Sequence, residues 1–119
     1  MTMLSDDVLR SKRVEIVDDR GRVRISMGAM GGSSRGDPVY GIAIHDEEGS
    51  ERIWLTLDAE GPTLVFASEG TGVIYIGVDD PAADTRRPGA YINIGDATGT
   101  VTVGWRVTPD GSISHEGAQ

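Results

Sequence analysis

Three stretches of the chain superimpose residue on residue: 14–27 (VEIVDDRGRVRISM), 42–55 (IAIHDEEGSERIWL) and 92–105 (INIGDATGTVTVGW). Each reads as strand, Asp-x-x-Gly turn, strand. A degraded fourth copy, VFASEGTGVIYIGV, occupies 65–78. Asp18, Asp46 and Asp96 align, as do Gly21, Gly49 and Gly99. An Asp at the first turn position accepts from amides inside the turn, and a Gly three residues on supplies a positive φ. That pairing predicts a type I turn followed by a left-handed Gly, which closes a hairpin with a bulge. Thr108-Pro109-Asp110-Gly111 repeats the device, with Pro109 presetting φ at the second position and Gly111 in the Gly place.

Alternation flanks the turns. Val23, Ile25 and Met27 share one face and Arg22, Arg24 and Ser26 the other; Ile53, Leu55 and Leu57 oppose Arg52, Trp54 and Thr56. A period of two over such lengths is a strand signal. The third unit differs: Leu64 to Ala67 and Val73 to Ile76 are apolar without interruption, as in strands covered on both faces. The expected fold is all-β: an antiparallel hairpin-repeat meander of roughly eight or nine strands with almost no helix. One domain is expected over 8–114, with units near 14–27, 42–57, 64–78 and 91–107, between a disordered N-terminus (1–7) and a disordered tail (115–119). Gly28 to Pro38 and Asp79 to Gly89 read as connectors.

A two-stranded hairpin is marginal in water, so each unit must pack on neighbours. A closed barrel or sandwich within one chain is one solution; a homo-oligomer whose hairpins complete one another is the other. Trp54, opposite the expected core residues of its strand, and the two-sided third unit favour the oligomer, and a trimer over a dimer. Trp54, Val65, Ile74 and Ile76 are the expected interface residues.

The repeated D-x-x-G-x-x-R-[IV] pattern, in Asp18/Gly21/Arg24/Ile25 and Asp46/Gly49/Arg52/Ile53, resembles short uncharacterised bacterial β-hairpin-repeat proteins. The resemblance covers about half the chain, and the fourth unit departs from it with Thr102 in place of Arg. It implies the fold and carries no activity.

The formal charge of −8 opposes nucleic-acid and anionic-membrane partners. The chain has no Cys, no apolar run of transmembrane length and no signal-peptide pattern, so a cytoplasmic protein without cofactor or metal is expected. Ten of the eleven basic residues are Arg, suited to pairing with carboxylates. His45, beside Asp46, Glu47 and Glu48, and the acidic side chains are the candidate bases; a surface histidine on the flank of a solvated acidic turn is the favoured reading of His45. Asp79, Asp80 and Asp84 could approach a calcium ion but lack a framing loop. Tyr75, Tyr91 and Asn93, with His45, are the candidates for lining a small-ligand site should the strands enclose one. The reading these residues favour is a non-catalytic structural or interaction module that self-assembles. A small-ligand-binding barrel is the alternative, and an enzyme built on His45 a third.

Overall fold

A computed structural model describes residues 3–5, 7–32, 38–68, 70–79 and 88–117. Among these there is no helix. A small hairpin comes first, β1 (Met3–Ser5) with β2 (Val8–Arg10). Nine strands follow: β3 (Arg13–Val17), β4 (Val23–Gly32), β5 (Pro38–His45), β6 (Glu51–Asp58), β7 (Gly61–Ser68), β8 (Gly72–Asp79), β9 (Gly89–Gly95), β10 (Val101–Val107) and β11 (Ile113–Gly117). They form one antiparallel sheet in which every strand bonds only with its neighbours in sequence, from β3 at one edge to β11 at the other.

The sheet is open. β3 and β11 do not meet, so the barrel closure considered from sequence is absent. Closure requires a long-range pairing of the two ends, which no local pattern encodes. Met3–Ser5 is paired with β2, and Ile113–Gly117 is paired along β10, so strands lie within 1–7 and 115–119. The Gly28–Pro38 connector is shorter than its composition suggests, because β4 runs on to Gly32 and β5 begins at Pro38. Gly28 and Gly31 make this possible at φ of 134° and 93°.

The turns follow the residue pattern. In the first, the Gly21 amide donates to the Asp18 carbonyl (2.9 Å) and the Asp18 amide to the Arg22 carbonyl (3.0 Å). The turns at 46–50, 96–100 and 108–112 repeat both bonds. Their glycines have φ between 77° and 89° (77° at Gly21, 89° at Gly49, 86° at Gly99, 88° at Gly111). Register shifts sit beside three of them, at Ile16/Val17, Ile44/His45 and Val101/Val103, where the extra bulge residue falls. A Cβ at Gly21, Gly49 or Gly99 would meet nothing within 4 Å. Substitution there therefore strains only the backbone. Gly21→Val, Gly49→Val and Gly99→Val should each cost about 1–2 kcal/mol in chemical denaturation, whereas Asp19→Ala and Glu47→Ala should change little.

The uninterrupted apolar segment takes the middle place. β7 has four strands on either side, and Val65 on it is 2% exposed. The expected cover on both faces is present on one only: Phe66 and Ile74, on the other side of β7 and β8, are 40% and 38% exposed.

Candidate functional site: two unlike faces

Cross-strand register sorts the side chains into two faces. One carries three apolar rows. The first runs Ile16, Ile25, Ile44, Ile53, Phe66, Ile74, Ile94, Val103, partner beside partner across eight strands. The second runs Val14, Met27, Ile42, Leu55, Leu64, Ile76, Ile92, Trp105, and ends at His115 on β11. The third holds Ala29, Tyr40, Leu57, Pro62, Val78, Ala90, Val107 and Ile113. No Asp, Glu, Lys or Arg stands in these rows.

The opposite face is mixed. One row reads Glu15, Ser26, Ala43, Trp54, Val65, Tyr75, Asn93, Gly104. The next reads Arg13, Gly28, Gly41, Thr56, Thr63, Gly77, Tyr91, Arg106. Large side chains here lie over glycines. A Cβ on Gly77 would stand 2.6 Å from Tyr91 Oη, and one on Gly41 would stand 2.8 Å from Met30 Sδ. The Arg106 guanidinium sits 4.8 Å from the centre of the Tyr91 ring, and its Nη1 pairs with Asp79 Oδ2 at 3.0 Å.

Burial reverses the sequence expectation. Ser26, Ala43, Val65 and Val73 are the buried non-glycine side chains among the described residues, and register puts all four on the mixed face. On β6 the residues expected in the core include the bare ones: Leu55 is 47% exposed and Leu57 57%. Trp54, expected to be left exposed in a single chain, is half-buried. Alternation separates the two faces but does not say which will be covered by its own chain; glycines facing large residues decide that here.

The four expected interface residues therefore divide. Ile74 and Ile76 lie on the apolar face, Trp54 and Val65 on the mixed one. Three shallow recesses mark the apolar face. One of about 420 Å³ is lined by Leu55, Leu64, Ile76, Ile92 and Trp105; one of about 450 Å³ by Tyr40, Ile42 and Leu57; one of about 520 Å³ by Ile53, Phe66, Ile74 and Ile94.

The ligand candidates also divide. Tyr75 and Asn93 are direct partners on β8 and β9, with Tyr91 in the adjoining row. His45 lies at the end of β5, apart from them. Its Nδ1 is 3.4 Å from the Gly49 carbonyl and its Nε2 3.2 Å from Ser26 Oγ. A carbonyl only accepts, so Nδ1 donates to Gly49, and Nε2 shares a hydrogen bond with the Ser26 hydroxyl. The order resembles a nucleophile and its base, but Ser26 is 4% exposed, which leaves a substrate no approach. The pair instead ties β4 to β5. His115, expected in the tail, lies on β11 with its ring 5.5 Å from that of Trp105.

Asp79, grouped from sequence with Asp80 and Asp84, turns to Arg106, and the other two lie outside the described residues. Among the described residues no three acids or histidines are grouped to hold a metal ion, and no helix is long and apolar enough to cross a membrane.

The strongest polar geometry belongs to the turn aspartates. Asp46 Oδ1 accepts from the Glu48 amide (2.9 Å) and the Ser50 amide (3.0 Å), while Oδ2 faces Arg52 Nη1 at 3.3 Å. Asp18 does the same with the Arg20 and Arg22 amides and the Arg22 guanidinium. The Arg of the D-x-x-G-x-x-R pattern acts elsewhere as well: Arg24 Nε donates to the His45 carbonyl (3.0 Å) and Arg52 Nε to the Ala67 carbonyl (2.7 Å), each stitching its hairpin to the next.

These partners hold the carboxyls low. At Asp18 partial burial pushes up, but the Arg22 and Arg20 amides outweigh it. The Ser50 amide lowers Asp46 and the Thr98 hydroxyl lowers Asp96. The Thr108 hydroxyl and the Ser112 amide bring Asp110 to about 2. A depressed carboxyl adds stability above its unfolded value, here 3.8, and loses it as pH falls through the folded value. Thermal midpoints should therefore be flat above about pH 5 and fall between about pH 4 and 2. Asp110→Asn should flatten part of that fall.

No protein-family model, curated protein or solved structure matches the chain.

Proposed function

We propose that this chain is a non-catalytic structural module that self-assembles, with the apolar sheet face as its working surface. The single observation that carries this reading is an apolar face, with no Asp, Glu, Lys or Arg in its three rows from β3 to β10, most of whose large side chains the chain's own packing leaves exposed. Soluble monomers rarely expose a contiguous apolar patch of more than a few hundred Å². The formal charge of −8 keeps the remaining surface hydrated and disfavours polyanions as partners. Half-buried His45, closed off by Ser26 and Gly49, supports a role in holding strands together over one in catalysis.

Size-exclusion chromatography with light scattering at micromolar concentration is the test. A mass that is a multiple of the 12.6 kDa chain is expected. A monomer that stays monomeric up to tens of micromolar would defeat the proposal.

A further inference from the structure

Resting on that reading, we infer that the occupant of the apolar face is one second copy of the same chain, stacked face to face as a two-sheet sandwich about a twofold axis along β7. Nine strands at ~4.8 Å spacing span ~38 Å, and seven or eight residues at ~3.3 Å give ~25 Å, so each copy offers roughly 950 Å². A stable specific interface buries about 800 Å² per partner. A single helix, ~10 Å across, would cover about a quarter of that width. A second sheet covers all of it, at the ~10 Å separation that aliphatic side chains fill.

Three copies fit less well. Three ~38 Å sheets around a threefold axis leave each sheet ~11 Å from the axis, while side chains in a sandwich reach only ~5 Å. The centre would be a void, which close-packed interiors do not hold. We therefore infer a dimer where the sequence favoured a trimer. An axis along β7 lays β5 over β9 and β4 over β10. Tyr40 then faces Ala90 and Ala29 faces Val107, while Met27 faces Trp105 and Leu55 faces Ile76 in the next row.

The chain has no Cys, so one introduced thiol is a clean probe. Leu64, at the middle of β7 on the apolar face, should lie beside its own copy. Thr63, its neighbour, points to the outer face. Light scattering of the unaltered chain should give twice the chain mass. A short bis-maleimide should join Leu64→Cys chains into dimers almost completely and leave Thr63→Cys chains largely unjoined. Three times the chain mass, with at most two of three Leu64→Cys chains joined, would overturn the sandwich while leaving self-assembly intact. Twice the mass with no joining at Leu64→Cys would place the contact at the sheet edges and also overturn it. A monomer would remove self-assembly itself and reassign the face to another occupant, such as a helix or a lipid surface.

Discussion

Ile76→Asp is expected to abolish the proposed self-association, while Thr63→Asp is expected to leave it unchanged. The two positions lie on adjacent strands, β8 and β7, near the centre of the sheet. They differ in the face they occupy. Ile76 stands in a row of aliphatic side chains between Leu64 and Ile92, with no cationic partner in the three apolar rows. Covering that face would strip water from an unpaired carboxylate, at about 3–5 kcal/mol. Each 1.4 kcal/mol is tenfold in affinity, so each buried carboxylate should raise the dissociation constant on the order of a hundred- to several thousandfold. The free chain loses little by the change, because Ile76 is open to solvent within its own chain. Sedimentation equilibrium of both variants reads the difference. Equal weakening by the two would show that the apolar face is not the contact.

Gly77→Val is expected to show the opposite signature: stability should fall by about 2–3 kcal/mol, as at an overpacked site, and the proposed assembly should be spared. A Cβ at this position meets Tyr91 Oη at 2.6 Å and the Pro62 carbonyl oxygen at 2.8 Å. Displacing the tyrosine also removes the ring beneath the Arg106 guanidinium. Adding Tyr91→Ala should recover only part of the loss, since the Pro62 backbone cannot move aside. Urea melts of the single and double variants measure it. Full recovery would mean that the tyrosine alone imposes the glycine.

The turns were readable residue by residue because everything that makes them is local. An Asp, two or three amides and a Gly at positive φ lie within five positions, as at Asp46 to Ser50. The run through Val65, Phe66, Ile74 and Tyr75 read as strands covered on both faces, but the chain covers one: Val65 is 2% exposed and Phe66 40%, and what the segment takes is the middle of the sheet. What alternation at Leu55 and Leu57 could not reveal is that the chain would leave that side open. The decision lies in contacts across strands, Tyr91 over Gly77 and Asn93 against Gly104, between residues 11 or more positions apart. Closure likewise depends on β3 and β11, about a hundred residues from one another. Ser26 carried no signal as the partner of His45, since the two come together only through the β4–β5 register.

Strict nearest-neighbour pairing, β3 to β11 in order, has a consequence for how the molecule forms and how it can vary. Its contacts are those of a zipper: any one hairpin can nucleate, and each later strand docks on a template already beside it in the chain, with little loop entropy to overcome. The free energy then grows as a sum of repeating steps. A ladder of this kind has no fixed length, and rungs can be gained or lost in pairs by duplication or deletion without rewiring the rest.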